Sequence, residues 1–125
     1  MNTNELRSGN YVLSGRNTKM KIDGFMNDSI FMNVEDERVS YILEKINYLQ
    51  PIKLTENIIS EICENVNGIS GNYQVKINND CSMYFDLDGD MIYIGKDIEI
   101  RISETPLHRL QNLYLDLAGF ELTVP

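Results

Sequence analysis

The residues of this sequence with the strongest claim to chemistry are cationic. Arg16, Lys19 and Lys21 fall on and just after a predicted turn at Gly15-Arg16-Asn17, and Tyr11 lies in the short strand-like segment before it. Strand side chains repeat every two residues, so Lys19 and Lys21 share a face. Ammonium and guanidinium groups beside an aromatic ring suit a phosphate or a nucleotide, held by charge-assisted hydrogen bonds and stacking. Tyr11, Arg16, Lys19 and Lys21 are therefore the expected ligand-binding residues. The competing reading is an ordinary solvated strand face. A second pair, Tyr84 and Tyr93, flanks Asp88-Gly89 and is expected to stand face to face, or nearly so, across a hairpin. Exposed there, the two rings would form an interface for a partner or a ligand.

Other groups carry weaker signals. Asp86-Leu87-Asp88-Gly89-Asp90 has the acid spacing of a calcium loop, but such a loop wants Gly at its sixth position and Glu at its twelfth. Here Gly89 is fourth, Met91 sixth and Asp97 twelfth, so a hairpin turn is the better reading. His108 is the single histidine, with Glu104 and Asn112 four residues away on either side. It lacks a motif-level nucleophile or metal-ligand set, and a solvent-side or cap-adjacent position is expected. Cys63 and Cys81 form no CxxC and are expected as a buried, reduced pair. The sequence has no nucleophile elbow, zinc-protease motif, P-loop or dinucleotide fingerprint. The expectation is a protein that is not an enzyme, with no catalytic residues, metal or cofactor.

The elements that must position these residues read as α+β. NYVLS, TKMKIDGF and SIFMNV are short strands joined by turns at Gly15-Arg16-Asn17 and Asn27-Asp28, with another turn at Asp36-Glu37-Arg38. They predict a curled, SH3-like or barrel-like meander. Tyr41 to Leu54 reads both ways, because Ile42, Ile46 and Leu49 have helical spacing while Pro51 stops any helix. Thr55 caps a short helix reaching about Glu64, with Ile58, Ile59 and Ile62 apolar. Asn65 to Asn72 is a Gly/Asn-rich loop. The chain after it predicts an antiparallel sheet, with an Asp88-Gly89 hairpin of type I′. Thr105 as N-cap, Pro106 at the first position and Gly119 as the left-handed stop delimit a final helix laid on that sheet. Leu107, Leu110, Leu113, Tyr114 and Leu117 form its apolar face. One domain over residues 1–125 is expected, with a subdivision into 1–64 and 73–125.

Charge limits the partners. The 125 residues carry 19 acidic and 11 basic side chains, a net charge of −8, which argues against coating DNA or RNA. No apolar run approaches a membrane span, and no signal peptide opens the chain, so a cytoplasmic protein is expected.

Three stretches, ELRSGNYV (Glu5 to Val12), LQPIKLT (Leu49 to Thr55) and LHRLQNLYLDLAGFEL (Leu107 to Leu122), resemble a family of small proteins of phages and prophages of Bacteroidales-type bacteria. The resemblance implies a phage-borne accessory protein acting in the host cytoplasm. It brings no catalytic residues with it. In that setting the leading expectation is a counter-defence binding protein, an oligomer that sequesters a small anionic, nucleotide-like signal. The alternative is an acidic protein–protein interaction module that occupies a basic surface of a host protein.

Overall fold

A computed structural model describes residues 5–27, 29–33 and 42–125. Val34, Tyr41 and the turn expected at Asp36-Glu37-Arg38 lie outside the described residues, as does Asp28 of the Asn27-Asp28 turn. The described residues form two antiparallel sheets and two α-helices, an α+β protein. The chain divides into two compact units, Met1–Ile52 with Leu107–Asn112, and Lys53–Pro106 with Leu113–Pro125.

The first unit holds a four-stranded meander: β1 (Tyr11–Leu13), β2 (Lys19–Met26), β3 (Ser29–Asn33) and β4 (Ile42–Lys45), paired in that order. Alternation decides which side faces in. Val12, Met20, Ile22 and Ile30 are buried, whereas Lys19 and Lys21 point out. The register shifts between Ile22 and Gly24, a bulge that ends this alternation, and Phe25 and Met26 beyond it are exposed. Asn17 supplies the positive φ of the first turn (59°), which Asn tolerates better than most residues. The Ile42-Ile46-Leu49 spacing does not make an α-helix. Ile42 and Lys45 bound β4, a 3-10 turn follows at Ile46–Tyr48, and the chain is extended again at Leu49 before Pro51. That route brings Gln50 back to the free side of β1, where it exchanges both backbone hydrogen bonds with Leu13, each at 2.9 Å. The meander therefore curls toward closure, around a core of Leu6, Val12, Met20, Ile22, Ile30, Ile46 and Leu49.

The second unit begins with α1 (Glu56–Ile62), capped by Thr55, whose Oγ1 accepts from Ile58 N. Five strands follow in consecutive order: β5 (Glu64–Asn65), β6 (Asn72–Lys76), β7 (Ser82–Asp86), β8 (Met91–Ile94) and β9 (Ile98–Arg101). The Gly/Asn-rich stretch joins β5 to β6, with Asn67, Gly68 and Gly71 at positive φ. Met83, Phe85, Ile92 and Ile94 are buried on one face of the sheet. Fully burying side chains of this size stabilises by about 1.5–3 kcal/mol each.

The β7–β8 hairpin forms at Asp88-Gly89, but its turn is not type I′. Four residues, Leu87 to Asp90, separate the Asp86–Met91 pair, and the positive φ falls on Asp90 (55°). A four-residue loop turns first and then recovers the strand direction through one left-handed residue, so Asp88 and Gly89 need no positive φ. Asp86 Oδ1 accepts from Gly89 N, and the Asp90 carboxylate accepts from Ser103 N (2.9 Å) and Oγ (2.5 Å).

Helix α2 (Leu107–Ala118) stops at Gly119, which has φ 81° as expected. Its start differs from expectation. Pro106 occupies the cap position, and Thr105 is buried at the end of a 3-10 turn (Ile102–Glu104), where its Oγ1 donates to Arg101 O at 2.8 Å. The hydroxyl is spent on that turn and cannot cap α2. Leu107, Leu110 and Tyr114 are buried as expected, but Leu117 is 40% exposed. In the second unit Tyr114 donates its hydroxyl to Lys76 O at 2.7 Å and meets the Phe120 ring edge-on.

Candidate functional site

The register of β1 and β2 assembles three of the four expected ligand-binding residues. Tyr11 stands directly opposite Lys21, and Leu13 opposite Lys19. Lys19 reaches diagonally back, and its Nζ lies 4.8 Å from the centre of the Tyr11 ring. This is a cation–π contact, worth about 0.5–1 kcal/mol at an exposed site. Tyr11 is half-buried, and Lys19 and Lys21 are exposed. Arg16 sits apart in the turn, exposed, with its backbone N–H bonded to Ser14 Oγ. The face is therefore a Tyr11–Lys19–Lys21 cluster, with one lysine already seated on the ring.

Tyr84 and Tyr93 are direct cross-strand partners in β7 and β8. Both are exposed, at 48% and 36%. They stand on the sheet face opposite Met83, Phe85, Ile92 and Ile94, in a row running Glu64, Gln74, Tyr84, Tyr93, Glu99. Two aromatic rings thus lie between carboxylates at either end.

A third cluster, in the first unit, was not anticipated. The segment Glu5–Tyr11 meets the helix residues His108–Asn112 through buried polar side chains: Asn10, His108 and Gln111 are each at most 1% exposed. Gln111 Nε2 donates to Gly9 O (2.9 Å), and its Oε1 accepts from Tyr11 N (2.8 Å). Asn10 Nδ2 donates to Asn112 Oδ1, Asn112 Nδ2 to Glu5 O, and Arg7 Nη2 to Gln111 O. Glu5 is gripped by Arg109 as a fork, Nη2 to Oε1 at 2.6 Å and Nε to Oε2 at 3.1 Å. This grip, aided by His108, holds the Glu5 carboxyl below its ordinary value.

Of the two positions expected for His108, the structure gives the cap-adjacent one, in the first turn of α2, and overturns the solvent-side one. The ring is buried, and its partner is Glu5 (Nε2 to Oε2, 3.3 Å) rather than a neighbour on its own helix. Burial pushes its pKa down, opposed in part by Glu5. A neutral ring beside an ionised carboxylate carries its proton on Nε2, which assigns the bare lone pair to Nδ1. Nδ1 is buried without a hydrogen-bond partner among the described residues. On the helix, His108 and Gln111 lie beyond the edge of the arc that Leu107, Leu110, Leu113, Tyr114 and Leu117 define, so the apolar periodicity carries no signal of this cluster.

The expectation of a buried cysteine pair holds for Cys63 alone. Burial pushes the Cys63 thiol up to about 12, whereas Cys81 is half-exposed; both are free. Among the described residues, no group of three or more His, Cys, Asp and Glu side chains is placed to hold a metal ion. No described helix is long and apolar enough to cross a membrane.

Charge is distributed very unevenly. The first unit contains seven acidic and seven basic residues, and the second contains twelve acidic and four basic. The whole net charge of −8 therefore belongs to the second unit.

Parts of the three stretches noted for their resemblance, Glu5–Val12, Leu49–Ile52 and Leu107–Asn112, belong to the first unit. Glu5 to Val12 joins Leu107–Asn112 through the buried amides, Leu13 pairs with Gln50, and Leu107 N donates to Ile52 O at 2.8 Å. No family model, curated protein or solved structure matches the chain.

Proposed function

We propose that this is a non-catalytic binding protein whose acidic second unit docks on a basic protein surface, with Tyr84 and Tyr93 at the centre of the contact. The observation that carries it is the charge partition: a unit with twelve acids against four bases presents, on its open sheet face, a paired set of exposed aromatic rings between Glu64 and Glu99. Tyrosines give large contact area at low entropic cost, and surrounding carboxylates steer a cationic partner into place. The resemblance to phage proteins favours a host protein as that partner, bound stoichiometrically in the host cytoplasm as a counter-defence act.

Affinity capture from host extract tests this, with the wild-type chain against Tyr84→Ser with Tyr93→Ser. The expected result is a basic protein retained by the wild type at low salt and lost with the double substitution. Retention that ignores both the substitution and rising salt would overturn the reading.

A second reading rests on the first unit. There Lys21 opposite Tyr11, and Lys19 stacked on the same ring, form a cationic face in a unit with no net charge to oppose an anion. It supports sequestration of a small anionic, nucleotide-like ligand by an oligomer, with Arg16 as an added arm from the turn. Lys19 would have to leave the ring if a base were to stack there.

A further inference from the structure

β9 ends the five-stranded sheet, paired with β8 on one side. Its sequence, Ile98-Glu99-Ile100-Arg101, is its own complement when laid antiparallel against a second copy. The backbone has the matching polarity. Ile102 N donates to Asp90 O at 3.2 Å, one step beyond the Met91–Arg101 pair. Bonded and non-bonded pairs alternate along an antiparallel ladder. Ile100 and Ile98 therefore direct their N–H and C=O groups at β8, and Glu99 and Arg101 direct theirs to the open side. Arg101 O also accepts from Thr105 Oγ1 at 2.8 Å, which occupies one of its two lone pairs.

We infer that β9 is a dimerisation edge, on which two copies of this chain pair antiparallel about Ile100. In that register Glu99 lies opposite the partner subunit's Arg101, and Arg101 opposite the partner subunit's Glu99. The residues with outward backbone groups are thus the residues with complementary charges. Each of the two pairs exchanges two backbone hydrogen bonds and sets a carboxylate beside a guanidinium. An isologous contact of this kind closes on itself and yields a dimer rather than a fibre. It also draws in Ile98, which is 46% exposed at this edge. The product is a ten-stranded sheet with a Tyr84–Tyr93 pair on each side of the two-fold axis. This assembly is independent of the proposed docking on a basic protein.

Sedimentation velocity on the purified chain over a concentration series tests the inference. The wild type should move from the 14.4 kDa chain mass to twice that mass. Glu99→Arg sets Arg against Arg twice and should raise the dimer dissociation constant about tenfold or more, and Arg101→Glu should do the same. Combining the two restores complementarity in swapped order and should restore the dimer. Amide exchange on the wild type gives a readout that needs no variant: the Glu99 and Arg101 amides should slow as concentration rises, while Ile98 and Ile100 stay protected throughout. A wild type that is monomeric at every concentration would overturn the inference and make Glu99 and Arg101 guards against edge pairing. A dimer indifferent to both single reversals, with no concentration-dependent protection at Glu99 and Arg101, would place the interface elsewhere.

Discussion

Gln111 acts toward Tyr11 as a strand neighbour would. Its side-chain amide accepts from Tyr11 N and donates to Gly9 O, the two-point pattern of a backbone peptide, delivered from a helix. The segment leading into β1 gains a partner on that side without a further strand. A buried amide in this position is stabilising only while both of its bonds are made.

Gln111→Leu keeps the volume and removes both bonds, leaving a backbone donor and acceptor unpaired. The expected loss is about 2–4 kcal/mol. Urea unfolding should show a lower midpoint with an unchanged slope. A midpoint equal to the wild type would mean that water replaces the amide at no cost.

Acid should weaken the same cluster. His108 has a folded pKa below its ordinary value of 6.5, so the unfolded chain takes up a proton first and stability falls as pH drops below that value. Glu5 has a folded pKa below its ordinary 4.5, and its contribution is lost further down, as pH falls through the depressed value. Melting temperature should therefore decline from about pH 7 to about pH 5, and His108→Gln should flatten the upper part of that decline. A His108→Gln profile parallel to the wild type would show that the ring does not titrate differently on unfolding.

The α+β class, the Thr55 and Gly119 helix signals, the Asp88-Gly89 hairpin and the tyrosine pairing across it were legible in the sequence, because each rests on local spacing or a special residue. What was not legible depends on residues distant in sequence. Thr105 has the chemistry of a cap, but its hydroxyl is claimed by Arg101 O. His108 reads as a surface histidine until Glu5, 103 residues away, arrives to bond it. Leu117 fits the apolar periodicity of α2 yet lies 40% exposed. Tyr11, Lys19 and Lys21 were expected together and are together, whereas the seating of Lys19 on the ring required the register to be known.

The two thiols should react unequally. Cys63 is buried with its thiol pushed up to about 12, so almost none is thiolate near neutral pH, while Cys81 is half-exposed. Titration with an aromatic disulfide reagent should count one thiol in the native protein and two in denaturant. Two fast equivalents from the native protein would contradict the burial of Cys63.

The second reading is tested by replacing Lys19 of the cationic face together with Arg16 of the turn. If it binds a nucleotide, Arg16→Ala with Lys19→Ala should weaken the calorimetric affinity for adenosine triphosphate by about tenfold or more, each charged hydrogen bond contributing about 1.5–3 kcal/mol. Unchanged affinity would remove these residues from any ligand site.

The first unit is sewn from stretches far apart in the chain: Gln111 and Tyr11, which share a hydrogen bond, are 100 residues apart. Such pairings give a high contact order, and the loop they close must be traversed before they contribute anything. During synthesis the meander would emerge long before the helix that supplies its amides. Its buried polar groups would stay wet, and Tyr11 N without the Gln111 amide, until Leu107–Asn112 is released. The first unit thus cannot be completed before Asn112 is made, and a nascent chain halted before Leu107 would carry a sheet awaiting its clasp.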